Sequence, residues 1–143
     1  MSGPASFDLT RFIDAQAGSF ARALSELESG VKASHWMWFI FPQLAGLGRS
    51  AQARIYAISS LEEARAYLAH PVLGARLRTS VQALQALDGD DPAEIFGPLD
   101  ALKLRSSLTL FGRAGGGPLF DAALARWYGG PDPATLALLN QTA

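Results

Sequence analysis

The chain has 143 residues, 49% of them apolar, and a formal net charge of −1, which suits one domain with its own core and excludes affinity by broad neutralisation of phosphates, as on an extended nucleic-acid surface. The absence of cysteine and the presence of just His35 and His70 exclude disulfides, thiol chemistry and a Cys-based zinc site, leave too few histidines for a His-rich one, and call for no cofactor. The opening MSGPASFDLT lacks the regions of a signal peptide, and the longest apolar run, Trp36 to Phe41, is too short for a bilayer, so no membrane association and a cytoplasmic location are expected.

Residues 1–6 read as a flexible lead into a single domain over 7–140. Phe7 to Ser29 has amphipathic helical spacing through Phe12, Ile13, Ala17, Phe20, Leu24 and Leu27, with Asp8 as cap and Gly30 as stop. Gln16 falls on that apolar stripe, and a buried amide needs partners, so it is a network residue or a ligand contact. Glu26 and Glu28 read as solvated helix charges. Lys32 to Gly48 shows no clean helical period and ends in Phe-Pro and Gly-Leu-Gly. It reads as an extended or irregular segment, with room for one or two short strands near 36–41.

Arg49 to Ile58 fits a short helix, and Ser60 opens the next with Glu62 and Glu63 in its first turn. His70-Pro71 breaks that helix, His70 reading as a cap or a pocket group, and Pro71 starts another over Val72 to Leu87. Asp88 to Pro92 is a turn, Ala93 to Phe96 a single helical turn closed by Gly97, and Pro98 to Phe111 a helix. Gly115 to Gly117 reads as a flexible joint before a helix over Pro118 to Tyr128, and Asp132 caps a last helix through Leu139. The expected fold is mainly α, one compact layered helical domain.

Chemistry concentrates in two places. In KASHWMWFIFPQLAGLGRS, residues 32–50, Lys32, His35 and Gln43 surround Trp36 and Trp38. Such a cluster is either an aromatic core segment or a platform that stacks a flat ring while His35 and Gln43 read its edges. Gly46 and Gly48 permit a tight turn whose amides suit a phosphate. In LDALKLRSSLTLF, residues 99–111, Asp100, Lys103 and Ser107 share one helix face, either as a surface pair or as an anion clamp.

These residues also carry a resemblance. RFIDAQ at 11–16, the 30–50 block, YAISSLEEARAYLAHPVLGARL at 56–77 and IFGPLDALKLRSSLTLF at 95–111 closely resemble an uncharacterised bacterial family, domain of unknown function 1810, over Phe7 to Leu139. The family is sometimes labelled calpastatin, a label at odds with a half-apolar, helically patterned chain, because inhibitors of that kind are disordered. The Phe12-to-Gln16 stretch, Lys103 to Phe111, Leu124 and Thr135 to Leu139 are similar, more distantly, to the NADAR group of N-glycosidases. That similarity implies an N-glycosidase-like hydrolase of an ADP-ribose or nucleotide-ribose substrate. The acidic residue and lysine that flank the group's first motif have no equivalents here, since Arg11 precedes Phe12 and Ala17 follows Gln16.

The hydrolase expectation gives Asp100, Lys103 and His35 the catalytic work, with Gln16, Lys32, Trp36, Trp38, Gln43, Arg49 and Ser107 binding a small nucleotide-type ligand. A non-catalytic nucleotide-binding module and a protein-interaction domain built on the aromatic segment 36–41 are the alternatives. The hydrolase reading expects Gln16, His35, Trp36, Trp38 and Lys103 to line one cavity.

Overall fold

In the computed structural model, which describes residues 7–141, the helical architecture is as expected. Among the described residues there are ten α-helices and no strand, only a single bridge between Leu44 and Ile58. The expectation for residues 1–6 lies outside the described residues.

The first amphipathic pattern folds as two helices, α1 (Thr10–Ala17) and α2 (Phe20–Ser29). The stripe is continuous, but the backbone breaks at Gly18 and Ser19, where Ser19 leaves helical geometry. Gly30, at φ 78°, stops α2 in the left-handed conformation that glycine adopts without a Cβ penalty.

The segment read as extended or strand-like is instead a helical turn, α3 (Met37–Ile40). Trp, Phe and Ile favour strands, yet Phe39 and Ile40 donate their amides to Trp36 O at 3.3 and 3.1 Å, and Phe41 donates to Met37 O at 3.0 Å. Tertiary partners override local preference here. Gln16 Nε2 of α1 donates to the Phe39 carbonyl at 2.7 Å, one of the C-terminal carbonyls that so short a helix leaves open. Trp36, Met37, Ile40 and Phe41 are then buried together.

Helices α4 (Ala51–Ile55), α5 (Leu61–Ala69), α6 (Leu73–Gln85), α7 (Pro92–Phe96) and α8 (Pro98–Phe111) follow. Their starts follow local chemistry: Ser50 Oγ accepts from Ala53 N, Ser60 Oγ from Glu63 N and Asp91 Oδ1 from Ala93 N. His70 is the cap at its break, its Nδ1 accepting from Val72 N at 3.1 Å and Leu73 N at 3.2 Å. Gly74 lets α6 fold back closely on α5, since a Cβ there would lie 2.0 Å from Leu68 O.

The glycine joint after α8 is one wider turn, Gly112–Gly116, that kinks at Gly115 (φ 104°), a left-handed conformation suited to glycine, before α9 (Pro118–Tyr128) begins. Asp132 caps α10 (Pro133–Gln141), its Oδ2 accepting from Thr135 N at 3.1 Å.

Helix α8 is the axis of the packing, with α3, α5, α7, α9 and α10 set against it. Leu104, Leu108, Leu110 and Phe111 are fully buried. Phe12 meets Tyr67 edge-on at 5.2 Å between centroids, and Tyr67 meets Phe111 at 5.1 Å. Trp36, Phe41 and Phe96 form a second aromatic group at 6.3 Å spacings. Each such pair contributes about 0.5–1.5 kcal/mol beyond the area it buries.

Candidate functional site

The face of α8 that carries Asp100, Lys103 and Ser107 turns toward α3 and the segment before it. Asp100 Oδ2 lies 2.8 Å from Lys32 Nζ, and Oδ1 lies 3.2 Å from Lys103 Nζ. Partial burial opposes charge on this carboxyl, but the hydrogen bonds and charges of Lys32 and Lys103 outweigh it and hold its pKa below the ordinary value. Both ammoniums also sit over indoles, Lys32 5.1 Å from the Trp36 centroid and Lys103 5.0 Å from that of Trp38. Lys32 donates in addition to Ser34 O at 2.6 Å. The result is one ionised carboxylate shared by two cations, each backed by an aromatic face.

Beside this set lies a cleft of about 380 Å³ between the 43–48 loop, α8 and the start of α10. Lys103, Arg105, Ser106, Gln43 and Asp132 line it, and Leu47, Leu99 and Leu102 supply apolar walls. Leu99 and Leu102 are 73% and 64% exposed, so this side of α8 is a rim and not core. Arg105 is steadied by donation from Nε to Gly130 O at 3.2 Å and by the Tyr128 ring, 5.8 Å away.

Asp132 is fixed with more care than a helix cap needs. Its Oδ2 accepts from Ser106 Oγ at 3.1 Å, Thr135 N at 3.1 Å and Thr135 Oγ1 at 2.6 Å. Its own amide donates to Thr109 Oγ1 at 2.8 Å. Two further polar groups stand out nearby: Trp38 Nε1 and Ser107 Oγ are buried without a hydrogen-bond partner among the described residues.

The remaining sequence-predicted residues lie elsewhere. Gln16 is buried, with Nε2 donating to Phe39 O at 2.7 Å and Tyr67 Oη at 3.0 Å, and Oε1 accepting from Arg76 Nη1 at 3.3 Å. It rivets α1 to α3, α5 and α6, a network role. Burial pushes the Tyr67 phenol above its ordinary pKa, against the opposing effects of Gln16 and Arg76. His35 is exposed and lines a separate hollow of about 390 Å³ with Gly18, Ser19, Arg22, Ser34 and Trp36. Arg49 is exposed and does not line the cleft beside α8. The five residues expected around one cavity therefore divide: Trp36, Trp38 and Lys103 share the Asp100 cluster, His35 meets only Trp36 at the separate hollow, and Gln16 stands apart. With Trp36 and Phe41 buried and Trp38 and Phe39 half-buried, the segment lacks the fully exposed anchor that a docking role for 36–41 requires.

Glu26, expected to be solvated, is a hub. Its Oε1 accepts from Ala33 N at 2.7 Å, Ser34 N at 2.9 Å and Trp36 Nε1 at 2.9 Å, and its Oε2 accepts from Ser34 Oγ at 2.5 Å. Desolvation works against its charge, yet these hydrogen bonds prevail and bring its pKa down to about 2. The available signal is Trp36, because a core indole needs an acceptor and Glu26 is the carboxylate one helix upstream.

A family model described as "Protein of unknown function (DUF1810)" matches residues 6–139. The chain is also similar to the conserved hypothetical protein Rv1873 from Mycobacterium tuberculosis, known from a crystal structure. The two are 52% identical with a TM-score of 0.91, over 94% of this chain and 97% of that one. No curated protein matches.

Proposed function

From the premise that this chain belongs to the DUF1810 family, whose description names no activity, we propose an N-glycosidase-like hydrolase that binds a nucleotide-ribose or ADP-ribose-type substrate in the cleft beside α8. The observation that carries this is the cleft's composition. Two cations, an amide, a fixed carboxylate and apolar walls meet in about 380 Å³, within the usual size of small-molecule sites.

In this reading Lys103 and Arg105 take the phosphate, Leu47, Leu99 and Leu102 shelter the ring, and Gln43 bonds a polar edge. Asp132 is the reacting carboxylate: its hydrogen bonds all fall on Oδ2, which keeps Oδ1 for the ribose. A negative charge there favours an oxocarbenium-like transition state and accepts a proton from the attacking water. The water oxygen bonds the anomeric carbon as the C–N bond breaks and its pair goes to the base; the proton taken by Asp132 passes to that base, or to solvent where the base leaves neutral, as nicotinamide does. Asp100, already held by Lys32 and Lys103, positions Lys103. Lys32, Trp36 and Trp38 support that arrangement, and Gln16, His35 and Arg49 take no part.

A nucleotide-binding module without turnover is the second reading. The pairing of Asp100 with two lysines favours it, leaving Asp132 as the one carboxylate lining the cleft among the described residues. Incubation with NAD, ADP-ribose, mononucleotides and phosphoribosyl compounds, with chromatography of the released base, separates the two. Release that disappears in Asp132→Asn and Lys103→Ala supports the enzyme. Saturable binding with no release over a long incubation supports the module, and neither binding nor release sinks both.

A further inference from the structure

Two orphaned polar groups buried in one region are uncommon, because nearly all buried donors and acceptors are paired. Trp38 Nε1 and Ser107 Oγ are such groups, and both belong to the crossing of α3 with α8. Trp38 lies under Lys103, and Ser107 follows Lys103 by one turn on the face that also carries Asp100. Ser107 is 1% exposed, so its hydroxyl has given up water without gaining a protein partner. The two groups also differ in what they ask for. An indole N–H only donates, whereas a hydroxyl donates or accepts.

Trp38 and Ser107 do not themselves line the cleft, and Lys103 is the residue that touches both the cleft and the Trp38 ring. Its side chain is 28% exposed and lines the cleft, and its ammonium rests over the Trp38 ring. Its departure would not strand Asp100. Asp100 keeps Lys32 at 2.8 Å, and Lys32 is the more buried of the two lysines at 9% exposure, so the carboxylate stays paired when Lys103 turns to another anion. A flexible four-carbon stem makes that turn easy.

We propose, resting on the nucleotide-ribose reading above, that the cleft selects a ring with a carbonyl on its edge, which reaches Trp38 Nε1 and Ser107 Oγ as Lys103 moves to the phosphate. Trp38 Nε1 donates to the carbonyl oxygen, and Ser107 Oγ bonds the same oxygen or the adjacent ring N–H. The ring's carbonyl satisfies in the complex what the protein leaves unsatisfied, so these two side chains trade stability of the free protein for selectivity.

Binding of inosine monophosphate, purine riboside monophosphate and ribose 5-phosphate tests this, because the two nucleotides differ only in the carbonyl and the ring N–H beside it, the pair the two side chains would read, and the sugar phosphate lacks a ring. The wild type is expected to prefer inosine monophosphate by about tenfold or more. That preference collapses in Trp38→Phe, which keeps a ring under Lys103, and in Ser107→Ala, and Ser107→Ala leaves the ribose 5-phosphate affinity unchanged. Ser107→Ala is also expected to keep or raise the melting temperature of the free protein. Nucleotide binding without a carbonyl preference, or a preference that survives both variants, overturns the inference and leaves the proposed site standing. A fall of several degrees in Ser107→Ala overturns it too, since it reveals a protein partner for the hydroxyl. Failure of all three compounds to bind the wild type removes the site and the inference together.

Discussion

Glu26 and Asp100 grip the same short segment, residues 32–36, from two different helices, and they do so with different chemistry. Glu26 takes neutral donors that the segment cannot withdraw without unfolding: two backbone amides, a serine hydroxyl and a core indole. Asp100 takes two ammoniums on flexible stems, one of which also lines a cleft. A carboxylate held by amides is architecture. One held by two lysines has a partner to spare, and that places exchangeable charge beside the cleft while Glu26 keeps its frame rigid.

The sharpest way to break this comparison is to remove Glu26. Glu26→Ala strands four donors around a buried tryptophan and is expected to cost about 2–3 kcal/mol, measured by denaturant titration. A loss no larger than that of Asp100→Asn would erase the distinction. The acid side adds an independent check. The folded carboxyl protonates near pH 2 and the unfolded one near 4.5, so between those values the unfolded chain binds more protons. The contribution of Glu26 is therefore complete above about pH 4.5 and lost as pH falls toward 2. Glu26→Gln is expected to flatten the stability curve across that window.

Gln16 extends the architectural side of the comparison. Gln16→Ala leaves Phe39 O, Tyr67 Oη and Arg76 Nη1 without their amide partner, and about 2 kcal/mol is expected by the same denaturant measurement. Its effect on nucleotide binding is expected to be absent, because it lies away from the cleft.

Both cases show what was readable in the chain. Caps at Ser60, His70 and Asp132 are local signals and mark α5, α6 and α10 before any packing is known. Gln16 announced itself by sitting on an apolar stripe. Glu26 did not, because a carboxylate on a helix's polar face looks solvated until the following loop folds over it. The same holds for α3: Met37–Ile40 has no helical period of its own, and its turn is imposed by the Gln16 bond to Phe39 O. The Asp100–Lys103 pair was legible at i,i+3 spacing. Lys32, its second cation, was legible only as part of a cluster, since nothing local links it to α8. The cleft needed the fold as well, as Asp132 and Arg105 reach it from elements the sequence had assigned to capping and to a helix interior.

On the exchangeable side, Asp100→Asn is expected to cost about 1 kcal/mol, the modest figure proper to a partly exposed pair screened by solvent and salt. The loss should shrink as salt rises, which the Glu26→Ala loss should not. Lys32→Met is expected to cost more than Lys103→Met, since Lys32 is the more buried partner. The reverse order would make Lys103 the structural lysine and undo its role as the one that moves.

The smallest expected effect decides where the ligand goes. His35 is exposed; with Arg22 it faces the separate hollow, whose 390 Å³ rivals the cleft beside α8 in size. What that hollow lacks is an apolar wall comparable to Leu47, Leu99 and Leu102. His35→Ala is therefore expected to change stability by less than about 0.5 kcal/mol and to leave nucleotide affinity unchanged, as measured by calorimetric titration. A large loss of affinity with stability intact would move the ligand to α2 and His35, and would leave the lysines around Asp100 as a salt-bridge cluster that holds α8 to the 32–36 segment and nothing more.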